Sequence, residues 1–265
     1  MKRITAIVLF ITASCNTTKH ISNEPGLPRN IAVNAKVFTS LYQQKSAEYR
    51  ALCFQAFNLA KIRLDESVTQ GGKPKAIITD LDETILDNSP YEVHQTLQGK
   101  DYDAQSWSQW IAMGKADTVP GSATFLHYAA TRGVTIFYIS NREEKDRVGT
   151  LLNLQNLHLP NADNAHLLLK QGVSSKEPRR LQVAASYDVL LLLGDNLIDF
   201  SPVFEKKPVN EREQTTNSMS AEFGKRFIVI PNPVYGDWES ALYKYSNTLT
   251  ASQKDSIIKN SLKSY

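Results

Sequence analysis

Cysteine is almost missing from this sequence. Of its 265 residues only Cys15 and Cys53 are cysteine, which excludes a fold stapled by several disulfides. Long apolar runs are missing too: Ile4 to Ile11 is far shorter than the ~20 residues that cross a bilayer, so a transmembrane anchor is not expected. The five histidines, at positions 20, 94, 127, 158 and 166, have no zinc-ligand spacing. No large excess of one charge sign exists either: the formal charge is +3, and Lys2 and Arg3 contribute to it, which argues against a nucleic-acid-binding protein. There is no internal repeat. What is present is 42% hydrophobic residues, enough for one α/β domain with elaborations and a full core.

The chain opens with Met1-Lys2-Arg3, an apolar stretch, and then Thr12-Ala13-Ser14-Cys15. A basic start, a short apolar run and small residues before cysteine form a bacterial lipoprotein signal over residues 1–15, with Cys15 as the lipid-bearing first residue of the mature chain. An ordinary cleaved signal peptide is the alternative. Residues 16–30 are polar, contain Pro25 and Gly26, and suit a tether. The expected location is the bacterial cell envelope, at the outer membrane, held through this lipid anchor. Cys53 would then be the sole thiol, and stability must come from packing.

Residues 31–72 carry apolar side chains at helical spacing (Val33, Val37, Leu41, Tyr49, Leu52, Phe57, Ile62), which predicts one long helix or two shorter ones. Their aromatic stripe suits core or a subunit contact. Gly71-Gly72-Lys73-Pro74 ends the pattern. Residues 73–87 and 119–236 alternate short apolar runs with helical segments, the pattern of parallel strands covered on both faces. Strands are expected over Ala76 to Ile78, Val134 to Ile139, His166 to Leu169, Val189 to Leu193 and Phe227 to Ile230. Glu205 to Lys225 reads as a long loop with some helix. Residues 88–118 form a helical insertion with Trp107 and Trp110 on one face, and residues 237–265 a C-terminal helical segment whose lysines suit a solvated face.

Asp80 and Asp82 follow the first of these strands. Side chains two apart in extended backbone share a side, so both carboxylates would face one cavity at a strand's carboxyl end, where open α/β sheets bind ligands. Asp-x-Asp also occurs in solvated turns and calcium loops, but the calcium-loop spacing is missing. The other strands end in polar groups as well: Ser140-Asn141-Arg142 after the second, Lys176 at the helix after the third, and Gly194-Asp195-Asn196-Leu197-Ile198-Asp199 after the fourth.

With Asp80, Asp82 and Thr84, these groups resemble the four-part signature of the haloacid dehalogenase superfamily. Ile78-Thr-Asp-Leu-Asp-Glu-Thr-Ile-Leu-Asp-Asn-Ser-Pro-Tyr91, Leu190 to Phe200 and Asn232-Pro-Val-Tyr-Gly-Asp-Trp238 resemble, more narrowly, the class C bacterial acid phosphatases of the lipoprotein 5'-nucleotidase type. Thr79 and Ile85 depart from the usual pattern without touching the chemistry. The resemblance implies a three-layer α/β core with a parallel sheet and a smaller helical subdomain. It implies a Mg²⁺-dependent phosphomonoesterase acting on nucleoside monophosphates and nicotinamide mononucleotide through an aspartyl-phosphate, and it suggests a homodimer. In that scheme Asp80 is the nucleophile and Asp82 the general acid and base. Ser140 and Lys176 bind the phosphoryl group. Mg²⁺ is held by Asp80, Asp195 and the backbone carbonyl of Asp82, with Asp199 in direct or indirect support. Asn88, Tyr91, Asn141, Arg142, Tyr235 and one of Trp107 or Trp110 are the expected substrate contacts. The alternatives are a phosphotransferase or sugar-phosphate phosphatase on the same groups, and a surface binding protein without turnover.

Overall fold

The computed structural model describes residues 30–67 and 72–265. The expected signal segment, Cys15 and nearly all of the tether lie outside the described residues. The described residues begin with two helices, α1 (Ile31–Lys45) and α2 (Ala47–Glu66). Ser46 separates them because it leaves helical geometry (φ −78°, ψ 129°) while its backbone N–H donates to Tyr42 O at 2.9 Å and its hydroxyl accepts from Tyr49 N–H at 3.1 Å. One serine thus closes one helix and caps the next.

Strand β1 (Lys75–Thr79) follows, then β2 (Leu86–Asp87), α3 (Ser89–Leu97), α4 (Ala104–Met113) and β3 (Asp117–Thr118). Leu86 pairs with Thr118 and Asp87 with Asp117, so a short antiparallel ladder joins the two ends of the helical insertion. The alternating part continues with α5 (Ser122–Thr131), β4 (Thr135–Glu143), α6 (Arg147–Asn156), β5 (Leu167–Lys170), α7 (Glu177–Ser186) and β6 (Asp188–Gly194). It ends with α8 (Val209–Ser218), β7 (Phe227–Val229), α9 (Asp237–Leu242) and α10 (Ala251–Ser261). Strand β4 is longer than its apolar run predicts. It carries Ser140, Asn141 and Arg142 within it, and the following helix starts only after a 3₁₀ turn at Glu144–Asp146.

The five main strands form one parallel sheet in the order β5-β4-β1-β6-β7. The alternation of side chains explains its two covered faces. Ile77, Ile136, Tyr138, Leu191 and Leu193 join Tyr49, Cys53 and Phe57 of α2, Phe125 of α5 and Leu154 of α6 on one face. Ala76, Ile78, Phe137, Ile139 and Leu192 meet Val183 of α7 and the rings of Phe200 and Phe227 on the other. Each fully buried Ile or Leu stabilises this packing by about 1.5–3 kcal/mol. The chain leaves β1 for β4 on one side and returns to β6 on the other, so the reversal of strand order lies beside β1. A ligand crevice forms at such a point, outside the carboxyl ends of the strands.

Candidate active site

Asp80 comes directly after β1, and its N–H continues the ladder by donating to Leu193 O at 2.9 Å. It has the parity of Ala76 and Ile78, which places it on the sheet face covered by α7. Lys176 is the residue that opens α7, so sheet parity and helix placement bring the two together. Its ammonium is buried, donates to Asp80 Oδ1, and donates to Asp199 Oδ1 at 2.6 Å. Asp199 Oδ2 accepts from Asn196 N–H at 3.0 Å. Asp195 Oδ2 accepts from Asn232 Nδ2 at 2.8 Å, and its Oδ1 accepts from the Thr84 hydroxyl at 3.2 Å.

Oxygen atoms of Asp80, Asp195 and Asp199 lie within 4.8 Å of one another. Burial, with the other carboxylates close by, pushes the Asp80 carboxyl up to about 7 despite Lys176, and burial with Asp199 and Asp80 nearby pushes Asp195 well above the usual range. Lys176 is the only cation in contact with this group among the described residues. An all-oxygen, carboxylate-rich set with surplus negative charge is what a hard divalent cation takes, so the residues present fit such an ion. The space is tightly set: a Cβ on Gly194 would collide with the Asp199 side chain.

Asp82 contributes no carboxylate oxygen to that group. Its side chain meets Arg142, with Nη2 at 2.7 Å and Nε at 3.0 Å from Oδ1, and with Nε at 3.2 Å from Oδ2. Asn88 Nδ2 also donates to Oδ1, at 2.9 Å, whereas the Ser140 hydroxyl is 3.5 Å from Oδ2. Arg142 is itself fixed by donating to Thr150 Oγ1 at 3.2 Å and lies over the Trp107 ring, 5.7 Å from its centroid.

These groups surround a cavity of about 340 Å³ lined by Asp80, Asp82, Ser140, Asn141, Arg142, Lys176, Asp195, Asp199, Trp107 and Tyr235, together with Lys36, Glu92, Tyr102, Asn196 and Ile198. Sequence reasoning singled out the first ten. Three expected substrate contacts lie elsewhere. Tyr91 is buried inside the insertion, its hydroxyl 3.1 Å from Ser106 Oγ and its ring edge-to-face with Trp107 at 4.9 Å. Asn88 is buried and serves Asp82 instead. Trp110 packs against the main core and donates from Nε1 to Asn88 Oδ1 at 2.8 Å, so Trp107 is the tryptophan on the cavity wall. Asn141 lines the cavity, but its Oδ1 accepts from Arg179 Nη2 at 2.7 Å.

Several residues were missed. Arg179 also donates to Ser140 O at 2.6 Å and so secures the end of β4; its position three after Lys176, on the same helix face, is the signal that could have found it. Glu83 lies inside the acidic stretch and has left-handed backbone (φ 57°). That turn lets its buried carboxylate accept from Asn88 N–H at 2.8 Å and from the Tyr235 hydroxyl. Burial, with Asp82 beside it, raises the Glu83 carboxyl well above its ordinary range, and burial, with Glu83 beside it, does the same to the Tyr235 hydroxyl. The lysines of the C-terminal segment are not all solvated: Lys254 donates to Asp101 Oδ2 at 3.1 Å in a partly buried contact.

With this arrangement in view, the comparisons are consistent. Residues 5–238 match the model of the HAD superfamily, subfamily IIIB (acid phosphatase). Two structures of the class C acid phosphatase from Bacillus anthracis, one with tungstate bound, are similar at a TM-score of 0.84 and 39% identity, covering 88% of this chain and 98–99% of theirs. Acid phosphatase 1 of Solanum lycopersicum is 22% identical over 158 residues, which span 60% of this chain and 57% of that protein's length. The chain belongs to the subfamily IIIB acid phosphatases of the HAD superfamily.

Proposed function

We propose that this chain is a phosphomonoesterase of the acid phosphatase type, using Asp80 as nucleophile and a divalent cation, Mg²⁺, as cofactor. The observation that carries this reading is Lys176 in contact with both Asp80 and Asp199, beside Asp195, in one buried group at the strand ends. A carboxylate approaching a phosphate anion meets repulsion, and this group concentrates the charges that can manage it. Asp80, Asp195 and Asp199 would hold the cation, which when bound offsets charge on the carboxylates and the phosphoryl oxygens.

Lys176 holds Asp80 Oδ1, which leaves Oδ2 as the attacking oxygen. It forms the bond to phosphorus as the ester P–O bond breaks, giving an aspartyl-phosphate on Asp80. The leaving oxygen takes a proton from Asp82, which then receives one from the water that hydrolyses the aspartyl-phosphate. Arg142 and Asn88 act chiefly on Asp82 Oδ1, so Oδ2 is the oxygen positioned to carry that proton. Ser140 and Lys176 face the transferred group as hydrogen-bond donors. The B. anthracis relative has been solved with tungstate, a tetrahedral oxyanion like phosphate, which supports an oxyanion position in the same place here.

The substrates proposed are nucleoside monophosphates and nicotinamide mononucleotide, with Trp107 and Tyr235 as aromatic walls on which a base stacks. A lipid at Cys15 would hold the enzyme in the cell envelope. That part rests on the N-terminal sequence and is tested by lipid labelling of wild type against Cys15→Ser. The homodimer suggested by the family likeness is tested by light scattering across a concentration range.

The decisive experiment for the reaction is phosphate release from nucleotides, sugar phosphates and an aryl phosphate, with Mg²⁺ or EDTA, for wild type and Asp80→Asn. Metal-dependent nucleotide turnover that is lost in Asp80→Asn is expected. Turnover of sugar phosphates alone would replace the substrate class, and no turnover by folded, Mg²⁺-loaded protein would overturn the reading.

A further inference from the structure

The cavity that contains Asp80 is also lined by a second pair of charges, Lys36 of α1 and Glu92 of α3, which the reaction does not use. Both are buried, at 7% and 4% exposure. Lys36 Nζ donates to Asp101 Oδ1 at 2.7 Å, and Asp101 is held in turn by Lys254 of α10. Glu92 has a looser partner. Its nearest cation is Lys36 Nζ, 3.6 Å from Oε2.

The Glu92 oxygens are not sealed in the protein: the residue lines the cavity, where water or a ligand group can donate to them. The Lys36 ion pair ties α1 to α3, and a carboxylate, with two oxygens and about four acceptor sites, keeps capacity for a further donor from the cavity. The cavity, at about 340 Å³, is in the size range of pockets that enclose a small organic ligand and exceeds what a phosphoryl group alone needs. Glu92 therefore faces space that the organic part of an ester would occupy while its phosphate lies at Asp80.

We propose that Glu92 is a specificity-determining residue that accepts a hydrogen bond from a hydroxyl or N–H donor on the leaving group, with Lys36 offsetting its charge. This inference rests on the phosphomonoesterase reading of the same cavity. The ligand chemistry is a neutral hydrogen-bond donor carried on a ring-bearing phosphomonoester. It can come from the sugar hydroxyls or from the base of a nucleoside monophosphate, and 4-nitrophenyl phosphate has neither.

The test is kcat and KM for wild type, Glu92→Ala and Glu92→Gln on four substrates: adenosine monophosphate, its 2′,3′-dideoxy analogue, ribose 5-phosphate and 4-nitrophenyl phosphate. Loss of a hydrogen bond to a charged acceptor predicts a fall of about 10- to 100-fold in kcat/KM on the nucleotide, chiefly as a rise in KM. That fall should exceed the fall on 4-nitrophenyl phosphate by at least tenfold. If the sugar hydroxyls are the donors, the Glu92 effect persists on ribose 5-phosphate and disappears on the dideoxy analogue; if the base is the donor, the reverse holds. Equal losses on all four substrates, or none, would overturn the inference. Glu92→Gln keeps the shape and one acceptor oxygen but not the charge, so a smaller loss in the same order across the four substrates carries the test should the alanine variant not fold. Wild type inactive on every substrate would sink the enzyme reading itself, which this inference could not survive, whereas wild-type turnover without the selective loss would sink only the role of Glu92.

Discussion

Arg142 and Asp82 form a two-point contact at the mouth of the sheet, with the guanidinium almost fully buried and the carboxylate partly open to the cavity. The arginine comes from β4 and the aspartate from the loop after β1, so the pair reports whether these two neighbouring strand ends are in register. Replacing Arg142 with Met leaves Asp82 without its cation. A fall of about 100-fold in kcat is expected, as for a displaced general acid, with a smaller change in KM. Stability should drop by about 3 kcal/mol, read by denaturant unfolding. Arg142→Lys should recover little activity, because an ammonium cannot reproduce the planar two-point contact.

The two tryptophans of α4 should respond differently. Trp107→Ala removes a cavity wall and is expected to raise KM for ring-bearing nucleotides, by the equivalent of about 1–3 kcal/mol of stacking. Trp110→Phe strands the buried Asn88 Oδ1, costing about 1–3 kcal/mol of stability, and disturbs Asp82 through Asn88, so kcat should fall with KM little changed. Steady-state kinetics on one nucleotide, paired with thermal unfolding, separates the two patterns.

Stability of the metal-free protein should depend on pH through the buried acids. Asp80 has a carboxyl raised to about 7 and Asp195 one raised well above the ordinary range, both first through burial. Groups raised in the folded state contribute stability that is full below the unfolded value near 4 and is lost as pH rises through the folded value. Tm in EDTA is therefore expected to rise as pH falls from about 7 towards 5, and Mg²⁺ should flatten that trend by favouring the ionised acids. A Tm profile that Mg²⁺ leaves unchanged between these pH values would count against a cation at Asp80, Asp195 and Asp199.

Gly194→Ala is the smallest change expected to disable the site. The added methyl meets the Asp199 side chain, which must shift, and Asp199 holds both Lys176 and the Asn196 backbone. Activity should fall at least tenfold at saturating Mg²⁺, with a higher Mg²⁺ concentration needed for half-maximal rate. Metal titration of activity, with circular dichroism to verify folding, checks this.

Much of the fold was legible because parallel strands buried on both faces must be apolar throughout. Runs such as Leu190 to Leu193 and Ala76 to Ile78 declare themselves without any knowledge of their neighbours. The extension of β4 through Ser140-Asn141-Arg142 was not legible, since those polar residues fit a loop equally well and only the ladder to β5 decides otherwise. The break at Ser46 was a similar case: serine is compatible with both helix interior and cap, and only its extended backbone and its bonds to Tyr42 and Tyr49 decide for the cap.

By itself, the sequence determined the parallel α/β core and the acids, serine and lysine at its strand ends, because local spacing dictates which side chains end a strand or open a helix. Only tertiary structure decided which of those groups meet and what each one faces. The Arg142 contact with Asp82 spans two strands, Asn88 turns away from substrate towards Asp82, and Lys36 of α1 with Glu92 of α3 reaches the cavity from outside the strand ends. Side-chain direction across elements distant in the chain depends on sheet order and helix packing, which no local spacing encodes.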